Sequence, residues 1–261
     1  RVGALVIVTL LPSYLLFQSG GLKESVLLFG VGTLFHSINR ISRTKIKWEG
    51  LLVAIIGCWF LINIKPYFIA SIVPATLAYA IALKLKSRHI FSWAIWTLNI
   101  VSGTLIISLS NFELLEFIVR KQHDFLNYAA NIQPGSLIYI PRLEYTWESV
   151  TQSLPQSFWR TIMEPMPWSI HTLSLFIMFV ENVIILAVVS IGSFRLIKNG
   201  NLSLTSHFLI QSIIPGLCLI VLISPVLGAA MRYRSPFIIL LLLAFVPLFI
   251  YQKAKNSHNE V

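Results

Sequence analysis

Apolar residues in this chain come in long, nearly unbroken runs. Short breaks marked by Gly, Pro or basic residues separate them. The runs lack strict two-residue alternation, and only helices and closed barrels satisfy the backbone in a bilayer core, so the pattern predicts helices. Val2–Phe17, Leu51–Ile64, Phe68–Leu83, Phe91–Leu109, Thr172–Phe194, Ser206–Ile223 and Phe237–Tyr251 give about seven spans. Pro66 separates the second from the third, because it lacks an N–H and disfavours helix at Lys65. Ser25–Ile41 differs. Its apolar positions, among them Val26, Leu27, Phe29, Gly30, Leu34 and Ile38, precede a basic exit of Arg40, Arg43, Lys45 and Lys47. That pattern predicts an amphipathic helix lying in the membrane interface.

The segment from Asn111 to His171 breaks the rhythm. It holds six of the ten acidic residues and several prolines. Helix is expected over Phe112–Asn131, a turn at Gln133-Pro134-Gly135, and an extended piece over Ser136–Ile140 that ends at Pro141. A second short helix is expected over Trp147–Ile162, and Met166-Pro167-Trp168 returns the chain to the membrane. The expected fold is all-α: a polytopic transmembrane helix bundle of one domain over 1–261, with residues 111–171 as a larger outer-face loop containing short helices.

Composition strengthens the membrane reading. The chain is 56% hydrophobic and 11% charged with a mean hydropathy of +0.78, against about 25% charged residues in soluble domains. The chain opens at Arg1 without Met, and a piece of a longer polytopic protein is expected. The opening run lacks the basic flank and small-residue cleavage site of a signal peptide. Cys58 and Cys218 sit inside apolar runs as small packing residues, and no Cys/His pair has metal-ligand spacing. No metal or cofactor is expected. The net charge of +10 lies in short loops, where topology alone places it, so nucleic acid is not expected as a partner.

Charge also orients the chain. The Lys23–Lys47 segment carries five basic residues and one acidic, which places it inside. Counting spans from there puts Asn111–His171 outside, and Arg195, Lys198 and the Lys253/Lys255 tail inside. Three cations then fall on the side that usually lacks them: Lys65, Arg232 and Arg234. One explanation is snorkelling to headgroups. The other is an anion site, since arginine forks match phosphate oxygens bidentately. With Arg232-Tyr233-Arg234 in an extended turn before Pro236, both guanidiniums would reach one phosphate. Tyr67 and Lys65 would sit nearby at the Pro66 break.

Glu181 lies deep in the fifth run. It shares a polar stripe with His171, Ser174, Met178 and Asn182. Such a carboxylate faces the bundle interior, either as interhelical hydrogen-bonding glue or as a proton-carrying or substrate-facing group. His207 and Gln211 are read as packing glue. The loop carboxylates Glu113, Glu116, Asp124, Glu144, Glu148 and Glu164 are each candidates for a general base, but solvation is the simpler account of each. No catalytic residue is assigned.

Three short motifs resemble bacterial membrane proteins of envelope-polysaccharide assembly, the lipid-linked-sugar glycosyltransferases and O-antigen polymerases. They are Ile64-Lys65-Pro66-Tyr67, then Glu164-Pro165-Met166-Pro167-Trp168 followed by Glu181-Asn182, and Arg232-Tyr233-Arg234-Ser235-Pro236. The second departs from the pattern: Glu164 stands where a basic residue precedes the first Pro, and Met166 replaces an aromatic. The acidic motif that such transferases carry in an early outer loop is not found in this sequence. The resemblance implies a multi-pass component of the bacterial inner (cytoplasmic) membrane, in contact with lipid and with envelope-assembly partner proteins. It would bind a polyprenyl-phosphate-linked glycan through Arg232, Tyr233, Arg234, Lys65, Tyr67 and Glu181. If the chain is an enzyme, the reaction is glycosyl transfer. A transporter or flippase using Glu181, or a non-catalytic membrane scaffold, are the alternatives.

Overall fold

A computed structural model describes residue 12, residues 23–43, 48–64, 113–132, 136–199 and 204–258, and parts of 71–81 and 96–101. Seven α-helices lie among the described residues: α1 Lys23–Arg43, α2 Trp48–Ile64, α3 Glu113–Ile132, α4 Trp147–Met163, α5 Leu173–Asn199, α6 Leu204–Ile223 and α7 Leu227–His258. A single 3-10 turn, Pro167–Ser169, leads into α5.

Three of these helices contain stretches long and apolar enough to cross a membrane: Leu173–Arg195, Thr205–Ile223 and Leu227–Phe245. The expected count of about seven spans is not reached among the described residues. The 17-residue α2 is apolar but shorter. The first and fourth expected spans fall largely outside the described residues and the third in part, as do the Gln133-Pro134-Gly135 turn, Lys65 and Tyr67.

The three long helices form the frame. α5 and α7 run parallel: Asn182 meets Arg234, Ile185 packs with Ile238, Ile239 and Leu242, and Gly192 lies under Phe245. α6 runs antiparallel to α7. At one end the Ser206 hydroxyl donates to the Ala244 carbonyl at 3.0 Å, and further along Gly216 faces the Phe237 ring. The outer face of α5 leaves Phe176, Ile177, Val180, Val183, Ile184 and Ile191 exposed. On α2 the exposed residues Trp48, Leu52, Ile55, Trp59 and Ile62 follow helical spacing. Lipid is the solvent that suits such faces.

Helix α1 has a packing that its sequence pattern did not reveal. It does not lie alone but is packed on neighbouring helices. Leu27, Gly30, Val31 and Leu34 are buried at positions i, i+3, i+4 and i+7, the stripe of a helix packed on neighbours. It packs antiparallel against α2, with Phe29 edge-on to Phe60 and Arg40 paired with Glu49 at 2.7 Å. It also runs alongside α7. Glu24 meets Arg232 at 2.9 Å, and eleven residues later Phe35 stacks on Phe208, near the α6 end where Ser206 bonds to Ala244 of α7. At about 1.5 Å per residue, α1 is roughly 31 Å long, close to the thickness of a hydrocarbon core.

Gly30 and Gly57 let α1 and α2 approach closely, as small residues do between membrane helices. A Cβ on Gly57 would lie 2.9 Å from the Gly30 carbonyl oxygen and 2.7 Å from Thr33 Oγ1. A Cβ on Gly30 would meet nothing nearer than 3.2 Å. Gly57→Ala is therefore expected to destabilise the hairpin by about 1–3 kcal/mol, in the range for overpacking, and Gly30→Ala by less. Thermal unfolding of the two variants in the same detergent checks the order.

The 113–171 region caps the end of the bundle where α6 turns into α7. Its two helices match the expected boundaries within a residue or two. Leu115, Ile118, Val119 and Val150 bury against Leu222 and Ile223 of α6. The expected extended piece is present. Ile138 N donates to Pro225 O at 2.9 Å, and Leu227 N donates to Ser136 O at 3.0 Å, so the strand-like segment is stitched to the α6–α7 turn. Gln122 secures its far end by accepting from Leu143 N at 2.7 Å and donating to Pro141 O at 3.2 Å.

Candidate functional site

The segment Arg232-Tyr233-Arg234-Ser235-Pro236 is helical, not an extended turn, because α7 already begins at Leu227. Pro236 leaves the Arg232 carbonyl without its helical donor. The Ser235 hydroxyl supplies one instead, donating to Arg232 O at 3.0 Å. That substitution lets the helix continue through a proline, as hydroxyl side chains do in membrane helices.

Helical geometry separates the two arginines. Residues two apart project about 200° from one another around the axis, so they cannot close on one phosphate as an extended turn would allow. Arg234 turns inward and is buried. Its Nη1 donates to the carbonyls of Thr161 at 2.8 Å and Glu164 at 2.9 Å, and its Nη2 donates to Asn182 Oδ1. Asn182 Nδ2 donates to the same Glu164 carbonyl at 2.7 Å. Arg160 Nη1 meets Glu164 Oε1 at 2.7 Å, and Met166 N donates to Glu164 Oε2 at 3.2 Å. One guanidinium thus ties together the end of α4, the middle of α5 and the start of α7.

Glu181 points into the bundle as expected, with 2% of its surface exposed. It and Glu164 are the carboxylates whose charge acts on Arg234. With Arg160, the cluster holds two positive and two negative charges, so it is neutral as a unit. The rest of the expected stripe divides: Asn182 is buried, Met178 is half-buried, and His171 and Ser174 are exposed. His207 is half-buried and Gln211 buried, in keeping with packing.

Arg232 faces the other way, into a pocket of about 420 Å³ between α1, α3, α6 and α7. Its Nε meets Glu24 Oε1 at 2.9 Å, and its guanidinium carbon lies 6.0 Å from the Tyr233 ring centre. Lys23 and Lys121 line the same pocket. Three cations against the single carboxylate of Glu24 leave it at net +2. Phe117, Phe125 and Leu219 supply apolar wall. Ser224, whose buried hydroxyl has no protein partner among the described residues, also borders it. Ile64 lines the pocket too. It is the residue before Lys65 in sequence, although Lys65 and Tyr67 themselves lie outside the described residues.

The structure therefore divides the expected site residues into two groups. Arg232 and Tyr233 line a pocket with Lys23 and Lys121, two lysines that sequence reasoning did not select. Arg234 and Glu181 belong to a buried neutral cluster with Glu164, which had been read as one of six solvated loop carboxylates. The missed signal for Glu24 was its position: one carboxylate at the head of a largely apolar helix. Among the described residues no His/Cys/Asp/Glu group could hold a metal ion, and Cys58 and Cys218 are unpaired thiols.

Three long apolar helices, with apolar faces turned outward and a polar cap at one end, are features of a helical membrane protein. No family model, curated protein or solved structure matches the chain.

Proposed function

We propose that this chain is a multi-pass component of the bacterial inner membrane that binds a polyprenyl-phosphate-linked glycan during cell-surface polysaccharide synthesis. All seven expected runs would cross, and α1 would add an eighth crossing beside α2 and the three long helices. The observation that carries the reading is the pocket at Arg232, which pairs net positive charge with aromatic and aliphatic wall beside membrane-length helices. An amphipathic anion fits that combination: the cations take phosphate and the apolar wall takes the first part of the chain. Among the described residues the Arg232–Glu24 contact uses Nε, which leaves the two terminal nitrogens for a phosphate fork.

Binding is the core of the proposal. Glycosyl transfer would be the reaction if the protein is catalytic, with the basic pocket neutralising a pyrophosphate leaving group. Glu181 is better accounted for as part of the Arg234 cluster than as a proton carrier in a transporter.

The test is retention of undecaprenyl phosphate by the purified protein, followed by native mass spectrometry. Arg232→Ala is expected to lower retention about 10- to 100-fold, the size of one charge-assisted hydrogen bond at ~1.5–3 kcal/mol. Arg232→Lys should restore little, because a point charge lacks the fork. Undiminished retention in Arg232→Ala would remove the pocket from the binding site. Full rescue by lysine would reduce Arg232 to a headgroup anchor.

A further inference from the structure

A second pocket, of about 240 Å³, lies on the other side of the α6–α7 turn. Ser224 borders the Arg232 pocket, and Leu227, three residues on, borders this one. Its wall includes Ser136, Tyr139, Arg160, Glu164, Trp168 and His171. We propose that it is a subsite for one neutral sugar ring. The proposal deepens the glycan reading above and rests on it for the kind of ligand that arrives.

Three observations point to a sugar. The first is charge. Arg160 and Glu164 are paired at 2.7 Å, so the pocket lacks the net positive charge of its neighbour and does not select a phosphate. The second is the planar polar pair itself. A guanidinium offers five N–H donors and a carboxylate offers about four acceptor sites. Among the described residues each Glu164 oxygen has one protein partner, Arg160 or Met166 N, which leaves further acceptor capacity for sugar hydroxyls. Glu164 is buried at 8% exposure and Met166 N holds its carboxylate in place, so the acceptors are fixed before any ligand binds.

The third is the aromatic wall. Tyr139 and Trp168 are 74% and 75% exposed, although both lie beside a polar pocket on an ordered cap. The C–H face of a pyranose carries partial positive charge, and the face of an aromatic ring is negative, so the two attract. Tyr139 is held by the stitched segment that bonds to Pro225 and Leu227, and Trp168 by the Pro167–Ser169 turn, whose Ser169 N donates to Met166 O at 2.9 Å. Both rings are thus mounted on backbone that is itself secured. Aromatic residues also gather at membrane interfaces as anchors, and the experiment separates that role from sugar contact.

The test uses the full chain in lipid nanodiscs and saturation-transfer NMR with the methyl glycosides of glucose, galactose, rhamnose and N-acetylglucosamine. At least one glycoside is expected to receive saturation, most strongly at its ring C–H protons. Trp168→Ala and Tyr139→Ala should each reduce that signal at least tenfold without shifting the melting temperature, because both side chains are exposed. Trp168→Phe should retain part of it. Absence of any glycoside signal in the wild type overturns the proposal. So does a signal that survives in both alanine variants, which would assign the rings to membrane anchoring. Undecaprenyl phosphate retention in Trp168→Ala should equal that of the wild type. If the wild type retains no undecaprenyl phosphate but still binds glycoside, the phosphate reading fails and the sugar subsite stands.

Discussion

Replacing Arg234 with alanine is expected to disorder the junction of α4, α5 and α7 and to give the largest loss of stability of any single substitution near the pocket. The guanidinium donates to the backbone carbonyls of Thr161, Ile162 and Glu164 and to Asn182 Oδ1. Its removal takes a donor from the Thr161 carbonyl and from Asn182 Oδ1, and it removes the cation on which the charges of Glu181 and Glu164 act. Removing one partner of a buried charge cluster costs about 3–5 kcal/mol, because the charge that stays behind is desolvated. Thermal unfolding and protease sensitivity of the 136–171 segment, in one detergent, measure the effect. Glu181→Gln should be much milder: glutamine can still hydrogen-bond, and Glu164 remains to face Arg234. If Arg234→Ala melts within a degree or two of the wild type, the cluster does not hold the helices together. Arg234 would then be available for the ligand role first expected of it.

The contrast between the two arginines marks the limit of what could be read from the chain alone. Periodicity placed α3 and α4 within a residue or two, since each carries a regular apolar stripe against the end of α6. The extended piece after Gly135 was legible because Pro141 and the absence of helical spacing both argue against helix. The reading failed at Arg232–Pro236, where the proline suggested a break. Nothing local says that Ser235 will cap the orphaned carbonyl, and only the helix reveals that the two arginines diverge. Glu24 and Arg232 pair from opposite ends of the described chain, and Arg234 finds its carbonyl partners at the end of α4. Those are tertiary facts with no spacing signature. The burial of Glu164 was hidden for the same reason: its partner Arg160 is one turn away, but its seclusion comes from α5 and α7 closing over it.

The orientation of α1 leads to an all-or-none result. An in-plane helix followed by a basic exit places Lys23 and Glu49 on the same side of the membrane. A helix that runs alongside α7, with Glu24 at the Arg232 end and Arg40 beside Glu49 of α2 at the other, places them on opposite sides. The charge rule agrees with the second arrangement. Arg40, Arg43, Arg195, Lys198, Lys253 and Lys255 belong to the stretches of α1, α5 and α7 away from the cap, while the acid-bearing segments 113–132 and 136–171 are at the Glu24 end. With Cys58 and Cys218 replaced by alanine, Lys23→Cys and Ser136→Cys are therefore expected to react with an impermeant thiol reagent added to intact cells. Glu49→Cys should react only after the membrane is opened. Its exposed ion pair with Arg40 can be given up at little cost, since surface pairs contribute about 0–1 kcal/mol. Labelling at Ser136 with protection at both Lys23 and Glu49 would return α1 to the interface plane and take Lys23 out of the binding pocket. Labelling at Glu49 with protection at the other two would invert the whole chain. The basic pocket would then face the cytoplasm, where an outward-facing glycan could not reach it.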